Sequence, residues 1–172
     1  DALARAIEQA VRKDAWDRTL AVRWTFRNGN QHLWDRKRML HRLRRGDTET
    51  LLDLTTRQGR VTNGGAPVHG AAAERALQRA YAAWINDSFW LNPLAKLFDD
   101  GVQRSVVQTE DGKPGLLISY QSGGLTPGDS YLWLLGEDHT PRAYRLWVSI
   151  LPIGGLEFSW EGWQTLPTGA RI

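Results

Sequence analysis

Leu20, Val22, Trp24 and Phe26 alternate with Thr19, Ala21, Arg23, Thr25 and Arg27, and the alternation stops at Asn28-Gly29. Period two sends successive side chains to opposite faces, so this stretch predicts a strand with one buried face. Asn-Gly then calls for a tight reversal, because both turn positions need φ > 0. A chain that opens in this way commits its core to antiparallel sheet.

The same signals recur. Residues 31–40 are expected to pair back against the first strand. Further short strands are expected at residues 51–55, 60–63 and 66–68, separated at Gln58-Gly59 and Gly64-Gly65. From residue 104 onward the pattern is a meander, with strands at 105–109, 116–121, 130–135, 142–149 and 156–165. Asp111-Gly112 marks one of its turns, and Gly123-Gly124 with Gly128 is read as another.

Two segments break the β pattern. Leu3, Ile7, Ala10 and Val11 share one face, which predicts an amphipathic helix over residues 2–15. Ala73, Leu77, Ala80, Tyr81, Trp84 and Ile85 share another, which predicts a helix over residues 71–87. The expected class is α+β. A large curved antiparallel sheet, an incomplete β-barrel, is packed against an N-terminal helix and a mid-chain helix. No repeat or linker divides the 172 residues, so one domain over 1–172 is expected.

The chain has no cysteine, which excludes disulfides, thiolate metal sites and cysteine nucleophiles. No apolar stretch approaches the ~20 residues of a spanning helix. The first residue is Asp1 rather than Met, so the chain is expected to be a processed or trimmed product from which a signal segment has been removed.

No nucleophile elbow, His-Glu-x-x-His, phosphate loop or dinucleotide fingerprint is present. His32 and Asp35 are three apart on a strand and point to opposite faces. His41 and Asp53 could approach across strands, although solvated or hydrogen-bonded surface positions are the default for all four histidines. Glu157 and Glu161 would stand about 13 Å apart on one strand. That exceeds the roughly 5 to 9.5 Å of paired acid–base carboxylates. Asp99-Asp100 before Gly101 reads as a turn. The expectation is a non-enzyme that needs no metal or cofactor.

Arg36, Arg38, Arg42 and Arg44 would share a strand face if residues 36–44 are extended. Such a stripe could meet phosphate or lipid headgroups. The plainer reading is a solvated face with weak, non-specific affinity for polyanions and no specific nucleic-acid binding. Nine Trp residues form the heaviest apolar component. Residues 89–101 are unusually apolar for a connection, with Phe89, Trp90, Leu91, Leu94, Leu97 and Phe98. They either fold onto the core or close one end of an apolar cavity as a mobile cover.

Trp24-Thr25-Phe26, His32-Leu33-Trp34-Asp35, Trp84, Phe89-Trp90, Pro93-Leu94-Ala95-Lys96-Leu97 and Asp100-Gly101 form a pattern with Asp129-Ser130-Tyr131-Leu132-Trp133 and Trp160-Glu161-Gly162-Trp163. It resembles the LolA/LolB-like lipoprotein-localisation superfamily, in a branch of secreted or lipid-anchored bacterial proteins. The likeness spans residues 16–163, and its motifs are structural. It implies a half-barrel sheet wrapped around helices, with an apolar cavity able to hold acyl chains. It also implies a periplasmic, outer-membrane-anchored or secreted location.

The expected function is therefore non-enzymatic binding of a lipid, acyl chain or other apolar small molecule in the bacterial cell envelope. Membrane-surface contact is open to such a protein, and a monomer is expected. The alternative is a protein-interaction or structural envelope domain with a filled core. Candidates for lining the cavity are Trp24, Phe26, Trp84, Phe89, Trp90, Leu94, Phe98, Trp133 and Trp147.

Overall fold

The computed structural model describes residues 1–122 and 127–172. The turn expected at Gly123-Gly124 lies outside the described residues. The protein is α+β, with antiparallel sheets of six and five strands, and neither sheet closes into a barrel. Its residues gather into two compact units, Thr19–Trp90, and Asp1–Arg18 together with Leu91–Ile172.

In the unit Thr19–Trp90, six strands pair in chain order. They are β1 (Ala21–Thr25), β2 (Gln31–Asp35), β3 (Leu40–Arg45), β4 (Thr48–Asp53), β5 (Gly59–Asn63) and β6 (Ala66–Val68). The single strand expected over residues 31–40 is instead two, β2 and β3. Between them the chain reverses at residues 36–39, where the Arg38 N–H donates to Asp35 Oδ1 at 2.9 Å. The β5–β6 hairpin turns on Gly64 and Gly65, both at positive φ (57° and 84°), as a two-residue loop matched to strand twist requires. Leu20, on the buried face by alternation, precedes β1 and is 61% exposed, because the alternation outruns the strand.

The helix α3 (Gly70–Phe89) crosses the inner face of this sheet, ending two residues beyond the expected Asp87. Leu43, Leu52, Leu54 and Ala80 form the core, flanked by Trp34, Met39, Leu77, Tyr81, Ala83 and Trp84. The helix seats closely on β5. A Cβ on Gly59 would stand 2.0 Å from the Leu51 carbonyl oxygen and 2.9 Å from Leu77 Cδ2. Only glycine fits there.

In the other unit, the expected helix over residues 2–15 is divided. Arg12 takes φ = 56°, a left-handed conformation that ends one helix and starts another, α1 (Ala2–Ala10) and α2 (Lys13–Arg18). Ala4, Ile7 and Val11 are fully buried, so the apolar face holds across the break.

The five strands are β7 (Val102–Gln108), β8 (Pro114–Tyr120), β9 (Ser130–Leu135), β10 (Pro141–Trp147) and β11 (Leu156–Ser159), in the order β11-β10-β9-β8-β7. β11 ends well short of the expected residue 165. β9 is buried on both faces, which suits a central strand. Leu132, Leu134 and Ala143 cluster with Val107 and Leu117 on one face. On the other, Trp133 meets Tyr144 and Trp160 at ring-centroid distances of 5.1 and 5.3 Å.

Candidate functional site

The inner face of the six-stranded sheet carries more than apolar side chains. Register places Trp24 opposite His32, and Trp34 opposite His41. Both imidazoles therefore face α3, and both are buried, His32 at 1% exposure and His41 at 2%. Asp87, in the last turns of α3, is equally buried at 1%. A surface placement is thus corrected for His32 and His41. Asp53, which could have approached His41 across strands, instead accepts from the Thr55 and Thr56 N–H groups.

A chain of hydrogen bonds joins the three. His32 Nε2 lies 2.9 Å from Asp87 Oδ2, and His32 Nδ1 lies 2.9 Å from His41 Nε2. The Asn30 amide donates to the same Oδ2 at 2.8 Å, and the Asn86 amide donates to Oδ1 at 2.8 Å. The network assigns the tautomers. The carboxylate accepts from the two amides, so His32 Nε2 carries the hydrogen directed at it. In a neutral ring His32 Nδ1 then accepts from His41 Nε2–H. His41 Nδ1 is left with a lone pair, and it is buried without a hydrogen-bond partner.

Electrostatics favour the neutral rings. Burial pushes the His41 pKa down to about 3, and the neighbouring His32 adds to the effect. Burial also lowers His32, with Asp87 opposing the shift. Trp24 lies flat on His32, with centroids 4.3 Å apart and planes 6° from parallel. The arrangement is a directed chain from a carboxylate to an unprotonated, weakly basic nitrogen, with an indole stacked on the first imidazole. Among the described residues no group of three or more His, Asp or Glu is placed to hold a metal ion.

Three indole N–H groups share this layer. Those of Trp24, Trp34 and Trp84 are buried and make no hydrogen bond. Trp34 and Trp84 meet edge to face, with centroids 5.3 Å apart. Indole nitrogen can only donate, so the layer offers three donors beside two unpartnered acceptors, His41 Nδ1 and Asn30 Oδ1.

The nine lining candidates divide between the two units. Trp24 and Trp84 belong to the layer just described. Phe26 follows β1 and is half-buried, and Phe89 and Trp90 stack edge to face at the end of α3. In the other unit Trp133 is wholly buried, Leu94 is wholly buried, Phe98 is half-buried, and Trp147 is 42% exposed at the end of β10.

In the apolar connection the placement of Leu91, Leu94 and Leu97 matches the first of the two expectations, folding onto the core. All three are buried in the core of their unit. Asn92 caps a 3-10 turn at Pro93–Lys96 by accepting from the Ala95 N–H, and its amide donates to the Arg171 carbonyl at 2.8 Å. The guanidinium groups of Arg5 and Arg104 cover the Phe98 ring at 3.5 and 4.2 Å. The basic run also resolves differently. Arg42 and Arg44 share the outer face of β3, whereas residues 36–39 form the turn.

Two surface depressions are open to solvent. One of about 520 Å³ is ringed by Arg5, Glu8, Arg12, Lys13, Asp14 and Asp17. The other, of about 360 Å³, runs along Trp147, Val148, Ser149 and Leu151. No helix among the described residues is long and apolar enough to cross a membrane. Comparison with family models, curated proteins and solved structures found no match.

Proposed function

We propose that the unit Thr19–Trp90 binds a lipid, acyl chain or other apolar small molecule between its sheet and α3, and performs no chemistry on it. The observation that carries this reading is the set of buried, unpartnered polar atoms in one layer: the Trp24, Trp34 and Trp84 N–H groups, His41 Nδ1 and Asn30 Oδ1. Each such group costs about 1–3 kcal/mol when left without a partner in the interior. A ligand whose head carries acceptor oxygens, such as a carboxylate, ester or phosphate, recovers that cost at the indoles. A hydroxyl on the ligand would donate to His41 Nδ1. The ring faces and the Leu43, Leu52 and Leu77 side chains then flank the apolar part, as ligand sites combine apolar walls with a few placed polar groups.

The pattern shared with the LolA/LolB-like superfamily points the same way. We extend it to membership of that superfamily and to a bacterial envelope location, periplasmic, anchored to the outer membrane or secreted. Native mass spectrometry of protein isolated without detergent, with tryptophan fluorescence titrations using oleate and a lysophospholipid, tests the reading. A co-purifying lipid and a saturable fluorescence change are expected. Ligand-free protein with unchanged fluorescence in both titrations would remove it.

A second reading, a protein-interaction or structural envelope domain, is favoured by a separate observation. Ile150 and Ile153 are 76% and 61% exposed between β10 and β11, and Phe158 is 43% exposed. Apolar side chains grouped on a surface mark interaction sites.

A further inference from the structure

The outer face of the six-stranded sheet carries a row of side chains that the ligand reading does not use. Register aligns Arg23 with Leu33, Leu33 with Arg42, Arg42 with Leu51, and Leu51 with Arg60. Five adjacent strands thus present Arg, Leu, Arg, Leu, Arg in a line across the sheet. Each arginine is exposed, Leu33 is 37% exposed, and Leu51 is half-buried. Each of the five alternates along its strand with a residue that faces α3, so the row points away from the helix.

Neighbouring strands lie about 4.8 Å apart, which sets successive arginines of the row roughly 10 Å from one another. Among the described residues none of Arg23, Arg42 and Arg60 forms an ion pair. The carboxylates of this face are engaged elsewhere or lie off the row. Asp35 pairs with Arg38 and accepts from its N–H, and Asp53 caps the Thr55–Thr56 turn. Glu49 lies in register with Arg44, one row along.

We propose that this row docks the protein on an anionic lipid surface, the three guanidinium groups meeting headgroup phosphates and the two leucines resting on the apolar zone beneath. Charge complementarity selects the partner. An unpaired line of arginines facing water is drawn to a negative leaflet, where each basic side chain near the surface is worth about fivefold in partitioning. Guanidinium forks also match phosphate oxygens two at a time. The spacers decide against nucleic acid. Bound single strands stack their bases on aromatic rings, and this row interleaves leucine instead. The inference uses the opposite face of the sheet from the proposed ligand layer and stands without it.

Co-sedimentation of the whole chain with vesicles tests it. The vesicles are phosphatidylcholine alone, and phosphatidylcholine with phosphatidylglycerol, at about 150 mM salt where the Debye length is roughly 8 Å. Binding to the anionic vesicles is expected, and little to the neutral ones. The triple variant Arg23→Gln/Arg42→Gln/Arg60→Gln should lose about a hundredfold, as three side chains at about fivefold each require. Arg75→Gln/Arg79→Gln, altering exposed residues of α3, should bind as the parent does. Circular dichroism checks that each variant is folded, and Arg42→Glu serves where the triple variant is not. Four results would each overturn the proposal. These are equal binding to neutral vesicles, undiminished binding by the folded row variant, an equal loss per charge in the α3 variant, and tighter binding to single-stranded nucleic acid than to vesicles.

Discussion

The two sheets are both antiparallel meanders, yet they bury opposite kinds of side chain. On one face of the five-stranded sheet, the wholly buried Trp133 touches Tyr144 and Trp160 ring to ring. Under α3 the six-stranded sheet buries Asn30, His32, His41, Thr50 and Asp87 among its leucines and tryptophans. Dispersion and area burial hold the first, and both tolerate modest changes of shape. Directed hydrogen bonds hold much of the second, and these fail when one member is removed. Equal fractions of buried surface therefore do not mean equal tolerance.

The largest expected effect tests that contrast directly. Asp87→Ala strips the acceptor from His32, Asn30 and Asn86 at once and should cost about 2–6 kcal/mol, as the buried His32 and Asn30 donors each lose a partner at roughly 1–3 kcal/mol. Trp133→Phe removes only part of a buried ring system and should cost about 1–2 kcal/mol. Urea unfolding followed by hydrogen exchange at β2 and β9 reports each unit separately. If Trp133→Phe proves the costlier, the polar layer is not the stricter of the two.

Acid should separate the units next. Unfolded, each histidine takes its proton near 6.5, whereas burial keeps His41 neutral down to about 3 and lowers His32 as well. Below 6.5 the unfolded chain binds more protons than the folded one. Stability is therefore complete above that pH and falls as pH drops toward 3, by at most about 1.4 kcal/mol per pH unit for each ring. Ordinary carboxylates titrate at about 4, below the interval from pH 6.5 to 5, so a loss within that interval is assigned to the histidines. Exchange should accelerate in β2 and β3 across that interval while β9 holds steady. Loosening of β9 first would reverse the assignment.

The smallest effect concerns surface charge. Arg145 bridges Glu110 and Glu157 at 3.1 and 2.8 Å, and it lowers the Glu110 pKa chiefly through the side-chain hydrogen bond. Exposed pairs contribute little, so Glu157→Gln should cost under about 1 kcal/mol and nothing measurable at high salt. A larger loss would make the five-stranded unit partly electrostatic and blur the comparison.

Local rules explain what the sequence makes legible. The helix over residues 71–87 and the strands at 60–63, 66–68 and 130–135 follow from periodicity and glycine turns, and each appears within about two residues. The break at Arg12 carries no glycine or proline to announce it. The buried histidines depend on one further turn. With residues 31–40 taken as a single strand, His32 and His41 have no common face. Once residues 36–39 reverse the chain, Asp35 opposes Leu40, and both histidines fall on the side of Trp24 and Trp34. Asp87 comes from 46 positions beyond His41 (87 − 41), and no local pattern links them. The row of Arg23, Arg42 and Arg60 is hidden likewise, since it exists only across strands.

The unit Asp1–Arg18 with Leu91–Ile172 is written in two pieces, with the whole of the other unit between them. On a ribosome, synthesis runs from the N-terminus at about 5–20 residues per second, and units fold as they are completed. Residues 19–90 emerge as one uninterrupted stretch whose strands pair in order, so they can fold first. Through that interval Ala4, Ile7 and Val11 have no strand of their own unit to cover them. The newborn chain thus carries an exposed apolar helix for the seconds before Leu91 and its successors arrive. That helix is where a chaperone that recognises apolar segments has its longest opportunity to bind.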